Sequence, residues 1–280
     1  MNRTEVDPKV HFGAFYPIMK QYLLLFLLLC VSWTTQAQSL HAVYEYIPSS
    51  VATFKEHVYW GNGIKTSIRD SLPLSADTKG KKGADEDVSS NLSLVVNTGV
   101  NFRSVVIQKN GINELVETRS IGSTNYLVND KLPALQWNTN YTGTDTIGKY
   151  ICHKATANYR GTKLVAFYTN AIPVPVGPYK FGGLPGLIVM LYNESANPNY
   201  WLLKEVSFPY EGSIPLNESY IYSLPKLSLQ DYVTKDDALI EEQMRRLQSK
   251  MPVVEGVTIE RKRTRGTVEK IYEWEHKDKL

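Results

Sequence analysis

Little in this sequence announces a function. Cysteine is almost missing, with Cys30 and Cys152 the only two in 280 residues, and Cys30 falls in a leader-like segment described below. One remaining thiol forms no internal disulfide, so stability must come from packing, which a chain of this length can supply. Charge of one sign is also missing: 31 Lys and Arg face 28 Asp and Glu, for a net +3. Of that, +1 lies within residues 1–37, leaving +2. A dedicated nucleic-acid binder needs a concentrated basic face, so that class is excluded.

Histidine is scarce. Beyond residue 38 only His41, His57, His153 and His276 remain, with no H-x-H or H-E-x-x-H spacing to suggest zinc. His153 adjoins Cys152, but neighbouring strand residues point to opposite faces, and Cys152 is expected in the core. No G-x-S-x-G elbow occurs. Gly143 to Lys149 fits G-x-x-x-x-G-K, but Tyr150 follows where a magnesium-binding Ser or Thr belongs, and a strand follows rather than a helix. No metal or cofactor is implied.

One long apolar run exists. After Met19-Lys20 the chain runs from Tyr22 to Val31 without charge, then through Ser32, Thr34, Thr35, Gln36 and Ala37. A basic flank, an apolar core of about 7–15 residues and a small-residue exit define a secretory signal peptide. The core falls short of the about 20 residues that a membrane span needs. Residues 19–37 are therefore expected to be cleaved, giving Gln38 as the mature N-terminus. Leu28-Leu29 before Cys30 argues against a lipidated cysteine. Residues 1–18, with Glu5, Asp7 and Pro17, suit no targeting region and read as an upstream extension ahead of a true start at Met19.

Residues 38–280 read as a single β-rich domain. Runs of Val, Ile, Tyr, Phe and Thr recur between Gly, Asn and Pro. Hairpins are predicted at 57–68 around Gly61-Asn62-Gly63, at 104–118 around Asn110-Gly111, at 150–169 around Arg160-Gly161, and at 187–208 around 193–199. Short connections imply antiparallel pairing. Residues 77–90 read as a charged loop. One helix is predicted near 235–250, with Thr234 as its cap and Ile240, Met244, Leu247 and Met251 on its buried face. A basic tail starts near 256. The predicted fold is mainly β, an antiparallel curved sheet or partly open barrel with that helix packed on it.

The most unusual stretch is Ile172 to Ile188. Pro173, Pro175 and Pro178 enforce an extended crossing, Gly182-Gly183 opens backbone angles closed to other residues, and Pro185-Gly186 suits a type II turn. Gly183-Leu184-Pro185-Gly186-Leu187-Ile188 spells GLPGLI. Together with Tyr150-Ile151-Cys152-His153-Lys154-Ala155, Phe167-Tyr168-Thr169, Ile172-Pro173 and Gly177-Pro178, it resembles the GLPGLI family of exported Bacteroidetes proteins. Phe167 stands where many members have Trp. The resemblance is strong over about 145–195 and looser elsewhere.

It implies an extracytoplasmic protein of the periplasm or outer membrane, without an established activity. It further implies a partner among TonB-dependent outer-membrane receptors, whose genes often neighbour those of the family. Nothing in Gly183 to Ile188 ionises or ligates a metal, so a structural turn and a partner-binding element are both open. Asp70-Ser71-Leu72 and Asp145-Thr146-Ile147 fit the D-[ST]-hydrophobic pattern of Bacteroidetes O-glycosylation, at Ser71 and Thr146.

Three functional readings follow. The first is an accessory or binding protein without catalysis, the second a carrier of a hydrophobic ligand resembling lipoprotein-carrier half-barrels, the third an uncharacterised hydrolase. The leader is checked directly: the protein recovered from the cell envelope should begin at Gln38 by intact mass, and a chain that keeps Met1 or Met19 contradicts the reading.

Overall fold

The computed structural model describes residues 39–48, 52–70, 103–109, 113–249, 265 and 267–275. The segments 19–37 and 77–90, Ser71, the Asn110-Gly111 turn, Met251 and most of the basic tail lie outside the described residues.

Among the described residues, twelve strands make one sheet. They are β1 Leu40–Pro48, β2 Phe54–Gly61, β3 Ile64–Arg69, β4 Ser104–Lys109, β5 Glu114–Ile121, β6 Thr124–Lys131, β7 Thr144–Ile147, β8 Tyr150–Tyr159, β9 Thr162–Thr169, β10 Leu187–Asn193, β11 Asn199–Ser207 and β12 Lys226–Ser228. Helices α1 Glu218–Ser223 and α2 Leu229–Gln248 flank β12. The spatial order is β12-β6-β5-β4-β3-β2-β1-β11-β10-β9-β8-β7. Every pairing is antiparallel except that of β12 with β6, so the sheet is mixed. All four predicted hairpins pair as expected. Asn62-Gly63 and Arg160-Gly161 turn with positive φ at both positions, the geometry that matches strand twist.

The sheet has to curl. β6 and β7 sit near opposite ends of the strand order, about 48 Å apart if strands about 4.8 Å apart lay flat. Residues 132–143 join them, and within that link Asn138, at most about 25 Å from Lys131, already bridges Thr156 of β8, which would lie about 43 Å from β6 in a flat sheet. Curling brings the ends together without closing them by a ladder. Asp130 of β6 instead accepts a bidentate bond from Arg160, which follows β8, at 2.6 and 2.8 Å.

Alternation then sets two faces. On the concave face stand Leu40, Ala42 and Tyr44 of β1, Val58 of β2, Leu164 and Ala166 of β9, Leu191 of β10 and Trp201 of β11, all buried in one cluster. The segment 172–186 crosses this face and fills it with Val174, Val176, Phe181 and Leu184. On the convex face, α1 packs Ile221 against Tyr59, Ile68, Val105 and Leu127.

The helix is longer than predicted and starts earlier. Ser228, not Thr234, caps α2: its hydroxyl accepts from the Asp231 amide at 3.1 Å and donates to the Asp231 carboxylate at 2.7 Å, a reciprocal cap. Thr234 lies inside α2 and donates to the Gln230 carbonyl at 2.9 Å. Periodicity alone missed the start because Leu229, Tyr232 and Val233 supply the buried face. Ile240, Met244 and Leu247, predicted to be buried, are exposed. Among the described residues no helix is long and apolar enough to cross a membrane.

The tight passage of the crossing into β10 fixes two glycines differently. A Cβ on Gly186 would stand 2.0 Å from the Thr169 carbonyl oxygen, whereas Gly183 has open space but a φ of +83°. Gly183→Ala should cost about 1–2 kcal/mol of backbone strain. Gly186→Ala should cost more, because backbone has to move. Urea unfolding of both checks the order, and equal losses contradict it.

Candidate functional site

The crossing carries a lysine into the interior. Lys180 stands between Tyr179 and Phe181, and its side chain is 0 % exposed. Its ammonium donates to Glu117 of β5 at 2.7 Å, Asp130 of β6 at 2.7 Å and Glu269 at 2.9 Å. Three donors meet three acceptors, the full capacity of an ammonium. Arg160 bonds Asp130, Glu269 at 2.5 Å and Glu273 at 3.0 Å. Arg119 bonds Glu117 at 2.8 Å and Glu269 at 2.5 Å. Tyr159 donates to Glu269 at 3.0 Å, and Tyr179 to Glu117 at 3.3 Å.

The buried charges balance: Lys180, Arg119 and Arg160 against Glu117, Asp130 and Glu269. Burial alone would raise the Glu269 carboxyl, but Lys180, Arg119 and Arg160 hold it well below the usual carboxylate range. Asp130 is lowered too, since bonds from Arg160 and the charge of Lys180 outweigh desolvation. For Lys180, desolvation is outweighed by Glu117 and Glu269, so its ammonium loses its proton less readily than a free lysine. Each charge of the centre is thus met by a charge of opposite sign. Its effect is to fasten the crossing.

A second buried acid fastens the same segment. Glu56 of β2 accepts from the Tyr179 amide, from Ser67 at 2.9 Å, from the Arg69 guanidinium at 2.7 and 3.1 Å, and from the Trp201 indole at 3.1 Å. Lys65 donates to the Phe181 carbonyl at 2.8 Å, and the Trp137 indole to the Gly182 carbonyl at 2.9 Å. Burial lowers the Lys65 ammonium to about 7, with Glu56 opposing.

The GLPGLI turn follows at once. Gly183 donates to the Pro175 carbonyl at 3.0 Å, Leu187 to that of Ile172 at 3.0 Å, and Ile188 to that of Val176 at 2.9 Å. Tyr44 donates to the Ile188 carbonyl at 2.7 Å. Leu184, Gly186, Leu187 and Ile188 are buried, while Gly183 and Pro185 face solvent. Thr146 is exposed on β7, the end strand of the sheet.

Cys152 is buried, and burial pushes its thiol up to about 11. The nearest approach to a relay is on the convex face. There His41 Nε2 lies 3.1 Å from His57 Nδ1, and His57 Nε2 lies 3.9 Å from Asp70. The rings of Tyr59 and Tyr210 lie against His41. Burial and the neighbouring His57 lower the His41 imidazole. Among the described residues no Ser, Thr or Cys side chain is hydrogen-bonded to either ring. Nor do three His, Cys, Asp or Glu side chains converge for a metal there.

Trp201 is buried against Tyr46, Tyr179 and Phe181. Tyr200 points to the convex face instead. It belongs to a half-buried stripe in which Ile47, Tyr200 and Tyr192 form one row and Leu202, Met190 and Phe167 the next. Ion pairs Lys163–Glu194 at 3.0 Å and Lys204–Glu45 at 2.8 Å stand on the same strands. The helices lie elsewhere, α1 on the cluster around Ile68 and α2 against β5, β6 and β12.

A family model described as "Protein of unknown function (Porph_ging)" matches residues 158–190, from the end of β8 to the start of β10. The match contains Lys180 and the turn. No curated protein matches. Among solved structures, PNGF-II in its P21 and C2 crystal forms is similar at 13% and 14% identity, with TM-scores of 0.45 and 0.43. In both, 72% of this chain aligns, spanning about a third of the PNGF-II chain (34% and 33%). An uncharacterized conserved protein from Thermus thermophilus is similar at 9% identity and a TM-score of 0.35, over 74% of this chain and 99% of that one.

Sequence reasoning found the turn and missed the ionic centre beside it. Its trace was present: Lys180 interrupts an apolar, Pro- and Gly-rich crossing, and Glu56, Glu117 and Asp130 occupy inward positions of strands. Two measurements check this account. Lys180→Met should lose about 3–5 kcal/mol in urea unfolding, because it leaves buried carboxylates uncompensated; adding Glu117→Gln should recover part, and a neutral Lys180→Met contradicts the account. The second concerns Lys65. Between about 7 and 10.5 it is neutral when folded and charged when unfolded, so the unfolded chain binds more protons and stability rises with pH. The rise should be seen from pH 7 to about 8.5, below the ordinary cysteine range, and should vanish in Lys65→Met.

Proposed function

We propose that this chain is an exported envelope protein of the GLPGLI type, cleaved after Ala37 and acting as an accessory or binding protein through its convex surface. The observation that carries this reading is the filled concave face. A carrier of the half-barrel kind keeps that face open for its ligand, and here Val174, Val176, Phe181 and Leu184 occupy it. For the hydrolase reading, no nucleophile stands hydrogen-bonded to His41 or His57 among the described residues. The stripe of Ile47, Tyr200, Tyr192, Leu202, Met190 and Phe167 has the aromatic and Met content of protein interfaces.

In this reading the partner is an envelope protein, with a TonB-dependent outer-membrane receptor first among them. The turn from Gly183 to Ile188 serves as structure rather than as contact, since most of it is buried. O-glycosylation at Ser71 and Thr146 goes with the same export route. No nucleic acid and no cofactor enters.

The test places a photo-crosslinking residue at Tyr200 and, separately, at exposed Asn158 as a control, in the native envelope. An outer-membrane protein captured from Tyr200 and not from Asn158 is the expected result. Recovery of no envelope protein from Tyr200 overturns the reading. Lipid retained in native mass spectra of the purified protein would favour the carrier instead.

A further inference from the structure

Helix α2 carries its apolar stripe further than the sheet can cover it. Leu229, Tyr232 and Val233 are buried against β6 and its neighbours. The same face continues through Ile240, Met244 and Leu247 at spacings of four and three residues, the repeat of one helical side. These three are 40%, 45% and 38% exposed. A helix that only covered the sheet would turn polar there, because apolar side chains gain nothing from facing water.

The charges beside this stripe are arranged in a particular way. At 3.6 residues per turn, Glu241 and Arg245 fall on the same flank, one turn apart. Neither has a side-chain partner among the described residues. Glu242 and Arg246, by contrast, pair with each other on the far side of the helix. When two identical helices pack antiparallel, the same flank of each meets, and a two-fold axis near Gln243 sets Ile240 of one opposite Leu247 of the other. Met244 then meets Met244. The same operation puts Glu241 of each copy beside Arg245 of the other, twice. A parallel arrangement brings opposite flanks together and forms neither pair.

We propose that the overhanging half of α2 is a self-association surface, through which a second copy of this chain docks antiparallel. It is an isologous contact, closed by its own symmetry. The patch is small, so the dimer is weak and concentration-dependent. It leaves the convex stripe of β1, β9, β10 and β11 free, and therefore stands or falls separately from the envelope-partner reading.

Sedimentation equilibrium of the purified protein tests this, across loading concentrations of about 1 µM to 1 mM, the span of weak to moderate association. The expected result is a mass that rises from one chain towards two. Met244→Glu should hold it at one chain with an unchanged far-UV spectrum, since the side chain is exposed. Glu241→Arg alone and Arg245→Glu alone should each weaken association about tenfold, the effect of two modest like-charge contacts. Mixed in equal amounts, these two variants should regain it, because every contact across the mixed pair is then complementary.

A wild-type protein that stays at one chain up to 1 mM overturns the proposal. So does a mixture of the two variants no better associated than either alone. Monomeric protein that instead cosediments with vesicles of phosphatidylethanolamine and phosphatidylglycerol, and loses this with Met244→Glu, assigns the stripe to a lipid surface and also overturns it.

Discussion

An ammonium held by three carboxylates inside a β-sheet is the constraint on which this molecule depends. Lys180 has no water to fall back on, so its placement requires Glu117, Asp130 and Glu269 to converge within 2.9 Å. Those three come from β5, β6 and the C-terminal segment, and Arg160 adds the turn between β8 and β9. The requirement therefore ties distant parts of the strand order to one point. A buried ionic group is a poor source of net stability, because desolvation consumes much of the attraction. It is a strong source of specificity, since any displacement leaves a bare charge in the interior. The curl of the sheet and the position of the crossing are two expressions of that one condition.

The same condition shapes the inside of the sheet. A concave sheet is a natural container, and the apolar residues on its inner face would suit a hydrophobic guest. Here the chain supplies its own occupant. Prolines 173, 175 and 178 keep that occupant extended, so its side chains rather than a folded-over loop meet the sheet. Gly182 and Gly183 let it reverse, and Gly186 lets it pass against the Thr169 carbonyl into β10. The GLPGLI turn reads, in this light, as the exit of the crossing. Its residues are those that a tight exit into a buried strand demands. On the outside of the sheet, one half is roofed by the 210–224 segment and the other carries half-exposed Tyr192 and Tyr200.

Much of the fold was legible in the sequence, and the reasons are local. Hairpins announce themselves through two-residue turns such as Asn62-Gly63, because only certain residues tolerate positive φ. The crossing announced itself through proline. Periodicity located α2 but misplaced its start: Ser228 caps it, and the Thr234 that resembled a cap bonds back to Gln230 inside the helix. Long-range pairing was not legible. Nothing along the chain says that Asp130 and Arg160 meet, since their contact is made by curvature and not by sequence proximity. Glu269 was still further from view, as it lies in a short segment without strand or helix pattern. Tyr200 and Trp201 looked alike in the sequence, yet strand alternation buries one and leaves the other half-exposed.

The central claim is that the crossing is a permanent part of the interior and not a removable lid. Native-state hydrogen exchange at the amides of Gly183, Leu187 and Ile188 tests it most directly, with β10 amides such as Leu191 as the internal reference. If Lys180 and Glu56 fasten the segment, these amides should exchange only with global unfolding, at the same opening free energy as Leu191 and with the same denaturant dependence. Exchange through a smaller opening, insensitive to denaturant while Leu191 stays protected, would show that the crossing leaves the concave face by itself. That result would contradict the account and return the interior of the sheet to the list of working surfaces.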